Sequence, residues 1–266
     1  MNHSPSSHAQ KAKSRAPLTA LFALAAAAGS LALAGCCHKS GTAGGDTCCA
    51  AAGESDKPIT PVRNADFYTN GKFDPAKAKQ AYFDLMRRHH EPVYAVLTQP
   101  EKFGLGKDFF WAVDFAKGDF ARFGMGGVIW VNEKKEGYFG HEIFLLPGQS
   151  IAEHKHLPTK DADGSTLPCK IESWRVRRGT VYTFSEIGEP NLDKFPEVKA
   201  LLSKVQTPHL KSVHVEKFTA DGTVRKLAAP ESWHFMMGGP EGAVVTEYAT
   251  FHDGAGLRFS VPGVAF

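Results

Sequence analysis

The sequence predicts an all-β fold, an antiparallel barrel or double-sheet jelly roll, preceded by one helix and interrupted by a small inserted helix or loop. Three observations carry this. A single stretch, residues 75–89, repeats its apolar residues at the helical period, with Ala78, Ala81, Tyr82, Leu85 and Met86 on one face. After Pro92 the period drops to two, in segments 126–132, 141–146, 172–177, 180–184, 212–218, 223–227, 233–237 and 243–251. Glycine separates these segments, and Asp221-Gly222 between two of them is a hairpin signal. Many short strands joined by glycine turns close into barrels or jelly rolls.

The N-terminal residues stand apart from that fold. Lys11, Lys13 and Arg15 precede an alanine- and leucine-rich run over residues 18–34, which is the layout of a secretory signal. The run ends in Leu33-Ala34-Gly35-Cys36, which resembles the bacterial lipobox; the resemblance implies that Cys36 is lipidated and heads the mature chain. Residues 1–35 then form a lipoprotein signal peptide. Residues 36–61, poor in large apolar side chains, form a lipidated flexible tether, and residues 62–266 form the barrel domain. Several acyl chains on Cys36 would hold the protein to a membrane, placing it outside the cytoplasm on the periplasmic face. Cys37, Cys48 and Cys49 lie in the tether, where adjacent pairs lack the spacing of zinc sites, and Cys169 reads as a loop thiol.

Asp74 before Pro75 supplies the helix with a cap and a first-turn proline. Residues 195–205 read as the short inserted helix. A net charge of +3, without an arginine-rich stripe, excludes a nucleic-acid surface and leaves a small molecule as the expected partner.

The chemistry begins at "GQSIAEHKH". On a strand, His154 and His156 project from one face, and a fixed pair of imidazoles is the start of a transition-metal site. Five residues separate Gly148 from His154, and six separate Glu172 from Gly179; Pro230 precedes His234 in "APESWHF". This resembles the two motifs of the cupin superfamily, and the resemblance implies a site made of His154, His156, Glu172 and His234. Such a ligand set suits a divalent ion, manganese above all, with iron or zinc as alternatives. Two spacings depart from the pattern: fifteen residues lie between His156 and Glu172, and the second motif is one residue short. The insert, "LPTKDADGSTLPCK", reads as a solvated loop beside the metal mouth.

Parity extends the site. Lys170, Glu172, Trp174 and Val176 share one side of a strand, and Glu247 shares a face with Val245, Ala249 and Phe251, where apolar neighbours would raise its pKa. From Val113 to Glu133, through "HEIFLLPGQSIAEHKH" and Lys170-Ile171-Glu172, to Glu247, Thr250, Asp253, Arg258 and Phe259, the chain is similar to the D-lyxose isomerase family of sugar-isomerising cupins. That resemblance implies an aldose-ketose isomerase acting on a free sugar through an enediol. It makes Lys170 and Glu247 the groups that contact or deprotonate the sugar, with Lys160 a rival for Lys170, and Asp253 and Arg258 holders of distal hydroxyls. Related barrels pair through their strands, which points to a homodimer. His252 is a candidate pocket residue. His89 and His90 at the helix end, and His141, His209 and His214 outside the motifs, are expected to be structural. An Fe²⁺ cupin dioxygenase, which needs no Lys-Glu pair, and a non-catalytic sugar-binding lipoprotein are the alternative readings.

Overall fold

The structure, a computed structural model, describes residues 58–265. The predicted signal peptide, the predicted lipidation site Cys36 and most of the predicted tether lie outside them. Ile59, assigned to the tether by composition, packs against the barrel core.

A small hairpin, β1 (Tyr68–Thr69) and β2 (Lys72–Phe73), leads into α1 (Pro75–Arg88). The Asp74 carboxylate accepts the backbone N–H groups of Ala76 at 3.1 Å and Lys77 at 3.3 Å, so the predicted cap forms. The helix buries Ala78, Tyr82, Leu85 and Met86 against β3 (Phe110–Val113) and β4 (Met125–Glu133), after a short turn of helix, α2 (Ala95–Thr98). The rest is strand: β5 (Tyr138–Leu145), β6 (His154–His156), a minor hairpin of β7 (Thr159–Lys160) and β8 (Thr166–Leu167), and β9 (Glu172–Ser185). After the inserted α3 (Pro196–Leu201) come β10 (His214–Thr219), β11 (Arg225–Lys226), β12 (His234–Thr250) and β13 (Leu257–Phe259).

The main sheet runs β10-β9-β12-β5-β4-β3, with β11 on β9, and β6 bridging β12 and β13. Two pairs of segments read as separate strands are each one strand. Residues 172–177 and 180–184 are both in β9, and 233–237 and 243–251 fall almost wholly in β12. The glycines that suggested turns are bends instead. The register shifts between Gly238 and Ala243, where Ala243 lies opposite Gly179, and Gly179 and Gly242 take φ values of +73° and +76°. At this bend β12 changes neighbours: Ala243 to Thr250 pair with β5, while His234, beyond the bend, pairs with β6. The sheet therefore curls into the antiparallel jelly-roll barrel that the sequence predicts.

The interior holds one apolar cluster, including Phe123, Ile143, Val181, Phe184, Phe235 and Met237, and a second fills the gap between α1 and the outer face, around Tyr82, Phe110, Phe120 and Phe144. The two meet at a buried polar joint. Tyr82 Oη donates to Gln149 Oε1 at 2.7 Å, and Gln149 Nε2 donates to the Phe120 carbonyl at 2.6 Å, which fixes the turn before β6. From the other side, the buried Glu153 carboxylate accepts the N–H groups of Lys211 and Ser212 at 2.9 and 2.6 Å, and its own N–H donates to Gln206 Oε1. The strand carrying the H-x-H pair is thus pinned at both flanks. The insert after His156, expected as a loop, folds into the β7–β8 hairpin.

A Cβ on Gly179 would strike the Gly242 carbonyl oxygen and would sit on a left-handed backbone. Gly179→Ala is expected to cost about 3 kcal/mol, the sum of αL strain and steric overpacking. The measurement is urea unfolding; a midpoint equal to that of the parent would show that this bend is not required.

Candidate metal centre and active site

Register brings the sequence motifs together. His154 and His156 point the same way from β6, His234 opens β12 directly opposite His154, and Glu172 opens β9. One ligand atom from each of the four lies within 4.8 Å of the others. Glu172 stands between two imidazoles, Oε2 at 3.2 Å from His156 Nε2 and Oε1 at 3.0 Å from His234 Nε2. The Nδ1 atoms of His154 and His234 lie 2.8 and 2.9 Å from the Ala152 and Ser232 carbonyls. A carbonyl can only accept, so Nδ1 carries the proton and each neutral ring presents its Nε2 lone pair to the cluster.

Electrostatics favour the neutral ring at His154 and His156 and oppose it at His234. Burial, and then the neighbouring imidazoles, hold His154 well below the usual histidine range, and burial likewise lowers His156. Burial also acts to lower His234, but Glu172 outweighs it and raises this ring. Burial would raise Glu172, yet Lys170 and His234 keep it well below the usual carboxylate range. The His156 and His234 Nε2 atoms and Glu172 Oε2 are buried, and beyond the close contacts among themselves and with Lys170 they make no well-aligned hydrogen bond. Converging, unsatisfied nitrogen and carboxylate donors fit a divalent transition ion.

Next to this cluster lies a chain of buried charge. Lys170 Nζ is 3.0 Å from Glu172 Oε2, makes a direct ion pair with Glu247 Oε1, and sits 4.7 Å above the Phe139 ring. Glu247 Oε2 is 3.2 Å from His141 Nδ1. The expected rise in the Glu247 pKa does not occur. Burial is the largest influence and pushes it up, with Glu172 adding to that push, but Lys170 and His141 together outweigh both, so this carboxylate is held below its ordinary value of 4.5 and is ionised. Lys170 is raised because Glu172 and Glu247 together overcome its burial.

These groups line a cavity of about 640 Å³, together with Trp111, Phe139, Trp174 and His252. Lys160, the rival lysine, is elsewhere: its Nζ donates to Thr166 Oγ1 at 2.6 Å on the exposed hairpin. Asp253 and Arg258 do not line the cavity either. The Asp253 carboxylate accepts from Thr159 Oγ1 at 2.6 Å and the Ala255 N–H at 3.0 Å, so it ties the insert to a turn. Arg258 is exposed, and its guanidinium donates to the Ala255 and Leu257 carbonyls. His252 does reach the cavity, its ring 5.8 Å from that of His156. The residue that sequence reasoning missed is His141. Its signal was parity, since it alternates with Phe139, Ile143 and Leu145 on the buried face of β5. It also pairs in register with Glu247.

The fold and the four-residue centre define a cupin barrel with a His₃Glu donor set. L-ribose isomerase of Cellulomonas parahominis superposes with a TM-score of 0.51 at 14% identity, over 70% of this chain and 90% of that one. L-ribose isomerase of Acinetobacter sp. DL28, in complex with L-ribose, gives 0.51 at 13% identity, over 71% and 91%. No family model matches the chain. In sequence, the D-lyxose ketol-isomerase of Cohnella laeviribosi is 30% identical over 137 residues, 52% of this chain and 68% of its own length. The D-lyxose/D-mannose isomerase of Thermosediminibacter oceani is 28% identical over 167 residues, 59% of this chain and 80% of its own length. The chain belongs to the D-lyxose ketol-isomerase family.

Burial, reinforced by Lys170 and His156, pulls His252 from 6.5 down to about 4. Between those values the unfolded chain binds more protons at this ring than the folded chain does, so stability falls as the pH drops through the window. Thermal melts of metal-free protein between pH 7 and 4.5 are expected to show a falling Tm, and a shallower fall in His252→Asn. An equally steep fall in the variant would remove His252 as a source of the loss.

Proposed function

We propose that the protein is a divalent-metal-dependent aldose-ketose isomerase of D-lyxose isomerase type, acting on a free sugar through an enediol. The observation that carries this is Lys170, buried between Glu172 of the His₃Glu cluster and Glu247. An oxygenase on the same donor set has no use for a second, ionised carboxylate; a proton shuttle requires one. A manganese or similar ion held by His154, His156, Glu172 and His234 would supply Lewis acidity toward a carbonyl and its neighbouring hydroxyl.

The chain's own residues then divide the work. Glu247, held ionised by Lys170 and His141, takes the proton from the hydroxyl-bearing carbon next to the carbonyl and returns it to the former carbonyl carbon, while the hydroxyl proton passes by way of Lys170 to the former carbonyl oxygen. Lys170 keeps positive charge beside the oxygens on which negative charge develops. It also fixes the distance between the two carboxylates. His141, stacked on Trp111 with ring centroids 5.6 Å apart, orients the Glu247 carboxylate through Nδ1. The apolar walls keep water from the reacting carbons.

The sequence-based placement belongs to the same reading: a lipoprotein anchored through Cys36 outside the cytoplasm, working on unphosphorylated sugar, as a homodimer and without a nucleic-acid partner. Among the described residues no helix is long and apolar enough to cross a membrane.

The full chain loaded with Mn²⁺ is expected to interconvert free aldoses and ketoses. Glu247→Gln is expected to lower kcat about a thousandfold while metal content stays unchanged. Oxygen uptake on iron loading, with no isomerisation of any sugar, would favour a dioxygenase instead. Sugar binding with neither reaction would point to a binding protein.

A further inference from the structure

The polar groups of the cavity are confined to one side of it. His141 on β5, His154 and His156 on β6, Lys170 and Glu172 at β9, His234 and Glu247 on β12, and the following His252 make up its ionisable lining. The remainder adds two indoles, Trp111 and Trp174, and no side-chain hydroxyl, amide, guanidinium or further carboxylate. On the β3–β4 side the wall is apolar apart from the Trp111 indole, which stacks on His141. Val113 and Met125 pair in register there, Phe115 follows Val113, and Ile143 lies opposite Gly127 on the next strand.

A sugar gripped by its carbonyl and neighbouring hydroxyl at the His₃Glu cluster, with Glu247 at its reacting carbons, has room to extend from β12 past β5 toward β4 and β3. Its next hydroxyls meet the unpartnered buried nitrogens His141 Nε2 and His252 Nδ1, and the remaining N–H of Lys170. Gly127 makes this possible, because a Cβ there would lie 2.5 Å from both His141 Nε2 and the Trp111 ring. Beyond these groups the chain end reaches Val113, Met125 and Phe115, where a hydroxyl would be buried without a partner. The volume of about 640 Å³ also exceeds what a free pentose of ten heavy atoms fills.

From this we infer that the preferred substrate is a terminally deoxygenated sugar, an aldose and ketose pair whose last carbon is a methyl group packed on the β3–β4 wall. The inference rests on the isomerase reading for the placement of the carbonyl end and adds the identity of the other end.

The test uses the Mn²⁺-loaded full chain and sugars matched at every stereocentre: mannose against 6-deoxymannose, in both the D and L series. In the series that turns over, kcat/KM is expected to favour the deoxy sugar about tenfold to a hundredfold, the cost of one unpaired buried hydroxyl. Val113→Ser, which sets an acceptor and donor in the wall, is expected to narrow the ratio from both sides, raising kcat/KM for the fully hydroxylated sugar and lowering it for the deoxy sugar. Calorimetric binding of the matched alditols, mannitol against 6-deoxymannitol, reads the same preference without any reaction. Turnover with no preference, or with preference for the fully hydroxylated sugar, overturns the inference and leaves the isomerase reading standing. No turnover, with alditol binding that still favours the deoxy compound, overturns the isomerase reading and keeps the assignment of the apolar wall. Neither turnover nor alditol binding overturns both.

Discussion

The interior depends on one buried ammonium. Glu172 and Glu247 are both buried, and two carboxylates so close in a low-dielectric interior would not both stay ionised without a cation between them. Lys170 supplies it, touching both. Because it is satisfied on two sides, Glu172 can remain an anion facing the three imidazoles, and Glu247 can remain an anion facing His141. The carboxylate among the three imidazoles and the carboxylate beside His141 are thereby both kept ionised although they share a single counter-ion. Each state is set by the other: moving the lysine would change the charge at both ends.

That arrangement requires long strands in a particular register. Trp174 pairs with Glu247, and Glu172 with Ala249, so Glu172 and Glu247 lie on neighbouring strands with both side chains turned inward. The distant half of β12 must nevertheless bring His234 opposite His154. A straight strand from His234 to Glu247 would carry those two side chains far apart at about 3.3 Å per residue. The bend at Gly179 and Gly242 folds the path back, so residues thirteen apart in one strand line one cavity. Glycine is needed there because two backbones meet with positive φ on each side.

Much of the centre was legible in the sequence because spacing carries it: an H-x-H step on a strand, a glutamate with its glycine, a proline-led histidine. Lys170 was legible by parity with Glu172, although the strand itself begins only at Glu172. The long strands were not legible, since a glycine that bends a strand and one that ends it look alike until the partner is known. His141 was passed over because a lone histidine among apolar residues has no local feature to mark it; its role depends on a partner 106 residues away. The Glu247 pKa went the other way for the same reason. Apolar neighbours along the strand suggested a raised value, and the deciding charges, Lys170 just ahead of β9 and His141 on β5, lie elsewhere in the sequence. Asp253 and Arg258 failed differently, for motif spacing fixes position and leaves side-chain direction open.

Asp253 shows what such a residue does instead. Its carboxylate accepts from Thr159 in the hairpin that follows His156, and from Ala255 in the turn leading to β13. Lys134 reaches the same hairpin through Asp161 at 2.6 Å. The backbone of His252, one residue before Asp253, is clamped on both sides by Asn132, with its carbonyl and N–H each bonded to that side-chain amide at 2.9 and 3.0 Å. The insert that breaks the expected spacing is therefore fastened to the segment that sets His252 at the cavity wall. Exposed ion pairs such as Lys134–Asp161 contribute little by themselves. Combined with the Thr159–Asp253 bond and the β6–β13 ladder, they tie three separate stretches of chain around one mouth. A ring held at the cavity wall needs this kind of support, because on an unsupported loop it would lose in ordering entropy what it gained from any hydrogen bond.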